Sequence, residues 1–128
     1  MIIKMTEDSD IYKNEVDTLR KMQQKTGQAN IPELKQVGTI SHEEKEIHYL
    51  TMPNYGKNLL EFLDDIEPGV SKISIILDIM QQLINSIEYV HFKGFTHNDI
   101  KPQNIMIGGN QTVTLVDFGA ADSISNRS

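Results

Sequence analysis

The run HNDIKPQN at residues 97–104 places a His, an Asp, a Lys and two Asn within eight positions, and its reading decides the fold. Pro102 lies inside it. A proline there removes a backbone donor and blocks a continuous helix, so the run is expected to form a loop with fixed bends. Loops that hold polar groups this densely are commonly placed for chemistry; a solvated turn is the plain alternative.

Downstream, residues 105–119 read IMIGGNQTVTLVDFG, two β-rich runs around the turn residues Gly108, Gly109 and Asn110. In an antiparallel hairpin the residue entering the first strand faces the one leaving the second, and those are expected to be Asn104 and Asp117. Directly opposed Cβ atoms stand roughly 4.5–5.5 Å apart, so an amide oxygen and a carboxylate can share one cation there. All-oxygen ligation of this kind suits Mg2+, which in turn suits the phosphates of a nucleotide. Upstream of the run, a long helix is expected from Ser71 to about Lys93, with Ser71 as N-cap and Gly94 as C-terminal stop. Ile73, Ile76, Met80, Leu83, Ile84, Ile87 and Val90 recur along it at helical spacing and read as core. A shorter helix is expected near residues 59–66, and PNYG at 53–56 marks a crossing between two halves of the fold.

The first half opens with MIIKM, a short strand carrying Lys4. Residues 9–27, SDIYKNEVDTLRKMQQKTG, are acidic at the front and basic toward the end, with Gly27 as stop, which predicts a helix. At 100° per residue Ile11, Tyr12, Val16, Leu19 and Met22 share one arc, and Glu15 falls in its middle. A carboxylate on a buried stripe is costly unless paired, and Lys4 on the neighbouring strand is the nearest candidate partner. The alternative is a Glu15 at the rim of the stripe that reaches water. After Pro32, LKQVGTI and IHYLTM read as strands joined by the polar turn SHEEKE.

Composition narrows the function classes. The chain has 128 residues, a net charge of -6, no Cys and four scattered His. That length matches one domain or part of a larger one. The acidic balance argues against a nucleic-acid partner, which needs clustered Lys and Arg. Without Cys there is no disulfide framework, thiolate zinc site or cysteine nucleophile, and the His spacing is not that of a metal site. No stretch approaches membrane-spanning length and the N-terminus lacks a signal-peptide pattern, so no membrane partner and a cytosolic or nuclear location are expected. A monomer is expected as well.

HNDIKPQN followed by DFG at 117–119, with Lys4 in MIIK and Glu15 on the next helix, resembles the signature set of eukaryotic protein kinases. IPELKQVG, MPNYGKNLLEFL and IEYVHFKGFTHNDIKPQNIMI are similar to the casein-kinase-one group, and the similarity covers essentially the whole chain. The resemblance implies an α+β, partial protein-kinase-like fold: residues 1–55 as a small antiparallel-sheet lobe with one helix, and 56–128 as the first part of a helical lobe. It implies ATP and Mg2+ as cofactors and a Ser/Thr-bearing protein as substrate. Lys4 would hold the α- and β-phosphates and Glu15 would fix it. Asp99 would accept or orient the substrate hydroxyl proton, Lys101 would neutralise the moving phosphoryl group, and Asn104 and Asp117 would hold the magnesium ions. Met52 would be the gatekeeper, Pro53 to Tyr55 the hinge, Met106 the pocket floor, and Leu19, His97 and Phe118 an internal stack. Lys101, two places after Asp99, matches serine/threonine rather than tyrosine kinases.

The sequence departs from the family pattern in places. Asn98 stands where most members have Arg, which implies no switching by phosphorylation of the following loop. The chain starts at the Lys4 strand with no Gly-rich segment before it, and it ends soon after Gly119. A partial domain is therefore expected, with a non-catalytic fragment or pseudokinase, binding nucleotide or serving as an interaction surface, as the alternative.

Overall fold

Three strands, β1 (Ile2–Thr6), β2 (Gln36–His42) and β3 (Lys45–Met52), form an antiparallel sheet in the order β1-β3-β2. The computed structural model describes residues 1–23 and 30–126. Lys4 lies opposite Leu50 in the β1–β3 register. β2 and β3 run further into their turn than the sequence suggests, leaving only Glu43 and Glu44 between them, with φ of 50° and 64°. Two successive left-handed residues make the hairpin turn whose twist matches that of the flanking strands.

Helix α1 (Ser9–Met22) starts on Asp8, whose carboxylate accepts the Asp10 and Ile11 N–H groups at 3.1 and 3.0 Å. Those bonds satisfy two of the donors a helix leaves free at its start. The helix ends at Met22, with Gln23 as its C-terminal cap; the expected stop, Gly27, lies outside the described residues. Val16 packs with Leu50 and Met52 of β3, and the Tyr12 ring stacks on His48 at 4.9 Å. Ile11 is a correction to the expected arc: it is exposed, because it sits in the first turn at the mouth of an open cavity.

Beyond the sheet come β4 (Lys57–Asn58), α2 (Leu59–Asp64), α3 (Lys72–Phe92), β5 (Phe95–Thr96), β6 (Ile105–Ile107), β7 (Val113–Leu115) and β8 (Asp122–Ser123). β6 lies between β4 and β7, and β5 pairs with β8. The α2 start is a reciprocal cap: Asn58 accepts the Glu61 N–H while Glu61 accepts the Asn58 N–H. α2 is two residues shorter than expected, ending at Asp64. Ser71 occupies the cap position of α3 without a side-chain bond, and Gly94 closes that helix with φ 91°. Leu19 and Met22 of α1 share one buried cluster with Val90 of α3, Ile105, Leu115 and Phe118. The Tyr89 hydroxyl donates to the Met22 carbonyl at 2.9 Å, so the end of α1 is tied to α3.

The expected core face of α3 needs correction. Val90 is buried and Leu83 and Ile87 are half-buried, whereas Ile73, Ile76, Met80 and Ile84 are exposed, Ile73 by 74%. Ile79, Ser86 and Val90 form the buried line, and the exposed set centres roughly 105° around the helix from it. α3 is apolar on both sides, so periodicity alone could not choose between them.

Gly56 shows how tightly the crossing is built. Its φ is 101°, and a Cβ there would stand 2.1 Å from the Ile107 carbonyl oxygen of β6. Backbone meets backbone, so no side chain can move aside. Gly56→Ala is expected to lose more than about 3 kcal/mol of unfolding free energy in urea titrations. Gly109→Ala, where a Cβ meets nothing within 4 Å, is expected to stay within about 0.5 kcal/mol of the parent.

Candidate active site

Lys4 sits mid-strand on β1, and the two-residue alternation of a strand puts Ile2 and Thr6 on its face. Glu15 lies between Tyr12 and Leu19 on the inner face of α1, its side chain only 3% exposed. Lys4 Nζ donates to Glu15 Oε1 at 2.7 Å and to Asp117 Oδ1 at 3.0 Å. The second Glu15 oxygen accepts the Phe118 N–H at 2.9 Å. A cation and a backbone donor together supply what a buried carboxylate requires. Glu15 is thus inside the fold and paired, not at a solvated rim.

The β6–β7 hairpin differs from the expected register by one residue. Ile105 faces Leu115, so Asn104 lies opposite Val116, not Asp117, and the Val116 N–H donates to the Asn104 carbonyl at 2.9 Å. Asp117 comes next with φ 63°, a left-handed conformation that ends the extended run. Asp tolerates that region better than most residues. Asn104 and Asp117 nevertheless line one cavity.

The 97–104 loop is fixed by His97 and Asn104. His97 is buried, with Nε2 2.8 Å from the Val116 carbonyl and Nδ1 accepting the Asp99 N–H at 3.1 Å. Only a neutral imidazole protonated on Nε2 satisfies both bonds. Its ring meets Phe118 edge-on at 4.7 Å, and Phe118 shares the buried cluster of Leu19. Asn104 Nδ2 donates to the Asp99 carbonyl at 2.8 Å and to its Oδ2 at 3.2 Å. Lys101 Nζ stands 3.7 Å from Asp99 Oδ1.

Two cavities meet at Lys4 and Asp117. The first, about 360 Å³, has a polar wall of Glu15, Asp99, Asp117 and Lys4. The second, about 270 Å³, is an apolar slot between Ile2, Met52, Tyr55, Met106 and Val116, with Asn104 and Asp117 at one end. Pro53 does not line the slot; it is half-buried in the turn between Met52 and Tyr55. Lys101 is exposed and, among the described residues, meets the site through Asp99. Sequence reasoning missed Ile2 and Val116, although strand alternation from Lys4 points to Ile2. It also missed Asn14, whose Nδ2 donates to the Gly119 and Ala121 carbonyls at 3.1 and 2.8 Å and so fastens α1 to the segment after Asp117.

Among the described residues no three or more His, Cys, Asp or Glu converge as a metal site. The donors present are one amide and one carboxylate. Asn104 spends its nitrogen on Asp99, leaving Oδ1, and Asp117 spends Oδ1 on Lys4 and on the Gly119 N–H, leaving Oδ2. Two such hard oxygens fit a Mg2+ that keeps several waters.

The charges of the site are coupled. Burial pulls the Lys4 ammonium down from its ordinary 10.5, but Glu15 and then Asp117 outweigh it and the net shift is upward. Burial pushes the Asp117 carboxyl up, yet Lys4 and the Gly119 N–H outweigh it and hold it below its ordinary 3.8. A depressed acid contributes stability above its unfolded value and loses it as pH falls through the folded one. A raised base contributes below its unfolded value and loses it as pH rises through the folded one.

Urea midpoints should therefore fall as pH drops below about 4, and Asp117→Asn should flatten that acid limb. Glu15→Gln is expected to cost about 1–2 kcal/mol, since an amide oxygen still accepts the Phe118 N–H. Glu15→Leu, which orphans that buried donor, should cost about 1–3 kcal/mol more by the same titration.

A comparison with protein families matches the protein kinase domain model over residues 1–128. The chain is 31% identical over 93 residues to cyclin-dependent kinase 4 of Mus musculus, covering 72% of this chain and 31% of that protein. It is 30% identical over 112 residues to serine/threonine-protein kinase STK11 of Rattus norvegicus, covering 88% and 24%. With "Probable casein kinase I homolog" of Encephalitozoon cuniculi the identity is 34% over 107 residues, covering 83% and 31%. The matched stretch is thus about a third or less of the length of each of these relatives. On the family match and the three relatives together, the chain belongs to the protein kinase domain family.

Proposed function

We propose that this chain carries the nucleotide-binding and phosphotransfer centre of a serine/threonine protein kinase of casein-kinase-one type. The observation that carries the reading is Lys4, held between Glu15 and Asp117 where an apolar slot opens into a polar cavity. The family generally uses ATP and Mg2+. In this reading the slot between Ile2, Met52 and Met106 takes the flat base, with Met52 as gatekeeper, and the backbone of Pro53 to Tyr55 takes the edge of the base. Lys4 takes the α- and β-phosphates, and Glu15 keeps it aimed. Asn104 and Asp117 hold Mg2+, which when bound supplies neutralising charge to the phosphates.

Asp99 then orients a Ser or Thr hydroxyl and accepts its proton, held in place by the Asn104 amide. Lys101 beside it offsets charge on the transferred phosphoryl group. Positioned charges account for most of such a reaction, because little covalent help is needed from protein. The casein-kinase-one assignment rests on the sequence stretches around the hinge and loop and on the similarity to "Probable casein kinase I homolog". We assign residues 1–55 and 56–128 to parts of the smaller and larger lobes of the family fold.

Calorimetric titration with Mg·ATP and transfer of labelled γ-phosphate to casein test the reading. Binding should be saturable and Mg2+-dependent, and Lys4→Met should weaken it by about tenfold or more. Asp99→Asn should retain binding while transfer to Ser or Thr falls by about 10²- to 10⁴-fold. Transfer unchanged in Asp99→Asn would overturn the assignment, and binding with no transfer in the parent chain would favour a non-catalytic nucleotide module.

A further inference from the structure

Directly after Asp117 the chain makes a turn over residues 118–121, closed by the Ala121 N–H on the Phe118 carbonyl at 3.1 Å. Its three remaining carbonyls all meet side-chain amides. Asn14 Nδ2 donates to the Gly119 and Ala121 carbonyls at 3.1 and 2.8 Å, and Asn98 Nδ2 donates to the Ala120 carbonyl between them at 3.0 Å. The N–H groups at the front of the turn go to carboxylates: Phe118 to Glu15 at 2.9 Å, Gly119 to Asp117 at 3.2 Å. Neighbouring residues of α1, Asn14 and Glu15, therefore grip the turn by its acceptors and its donors at once. The contact is close, since a Cβ on Gly119 would stand 3.0 Å from Ile11 Cγ2 of α1.

The chemistry of the two asparagines suits this place. A primary amide carries two N–H donors on one nitrogen, so Asn14 alone can serve two carbonyls, which a hydroxyl cannot. It is also neutral. A Lys or Arg here would satisfy the same carbonyls but would set a further positive charge beside Asp117, which already faces Lys4, and would oppose a divalent cation. Asn98 reaches the turn from a left-handed backbone, φ 71°, a conformation that Asn adopts more readily than most residues.

We infer that Asn14 and Asn98 are positioning residues, which together hold the 118–121 turn in place in the ligand-free chain and thereby set Asp117 for Mg2+. The inference rests on the reading of Asp117 as a metal ligand given above. Neither asparagine touches nucleotide or metal in this scheme. Each acts through the backbone: with Gly119 held by its carbonyl, its N–H stays on Asp117 Oδ1 and the second oxygen, Oδ2, is left for the ion.

Two variants and two measurements test this. Asn14→Leu keeps the side-chain shape without its donors, and Asn98→Gly removes the amide while tolerating the left-handed backbone. Asn98 is exposed, so its variant keeps the proposal testable should Asn14→Leu not fold. In the ligand-free chain, NMR-detected amide exchange at Phe118, Gly119 and Ala121 should quicken about fivefold in either variant, with the Leu50 and Val90 amides unchanged. In ATP titrations the half-saturating Mg2+ concentration should rise about fivefold, whereas affinity for adenosine, which needs no metal, should stay within about twofold of the parent. Unchanged exchange at the turn in both variants would overturn the inference. So would equal quickening at Leu50 and Val90, which is general loosening, or an unchanged Mg2+ requirement with a loosened turn. A parent chain that binds no Mg·ATP would overturn the catalytic reading instead, and the exchange data would still decide whether the asparagines hold the turn.

Discussion

A carboxylate with 3% side-chain exposure is the constraint around which this chain is arranged. Glu15 can be buried there only because each of its oxygens has a donor, Lys4 on one side and the Phe118 N–H on the other. Those donors come from β1 and from the segment after β7, so one side chain on α1 locks three separate parts of the sequence. Lys4 is in turn shared with Asp117, which binds it less closely and is itself more open to solvent. Around this junction three carboxylates, Glu15, Asp99 and Asp117, meet two ammonium groups, Lys4 and Lys101. The residual charge is negative, which favours a cation over an anion there.

A second tie runs through His97. Its two nitrogens join the start of the polar loop to the end of β7, and its ring rests on Phe118, beside Leu19 of α1. Asp99 is therefore positioned through its own backbone N–H as well as through the Asn104 amide. The site is built largely from such backbone contacts, which hold geometry more firmly than pairs of long side chains can.

Much of this was legible in the sequence, because the decisive signals are local. Glu15 in the middle of an apolar arc demands a partner by helix geometry alone, and the Gly108–Asn110 turn signals announce a hairpin. Other features depend on information no local pattern carries. The β6–β7 register is set by the length of the loop, closed by the Gly108 N–H on the Thr112 carbonyl and by left-handed Gln111, so it could slip by one residue in a reading from composition. The two-residue strands β4, β5 and β8 have no periodicity to read. α3 presents two apolar faces, and which of them the described elements cover is a tertiary fact.

Strain marks where these ties matter. Glu43, Glu44 and Gln111 have positive φ in hairpin turns, where the turn itself rewards it. Asn98 and Asp117, at φ 71° and 63°, lie outside any hairpin turn. Such a conformation costs of order 1–3 kcal/mol per residue and persists only where neighbours over-determine it. Asn98 donates to the Ala120 carbonyl at 3.0 Å, and Asp117 is held by Lys4 and by the Gly119 N–H. The cation that Glu15 requires thus also keeps Asp117 in its strained state, and Phe118 follows directly in the chain. The seat of α1, the backbone of Asp117 and the burial of Phe118 are consequently one coupled arrangement. Lys4, half-buried on a short strand, thus touches both α1 and a segment more than a hundred residues away in the chain.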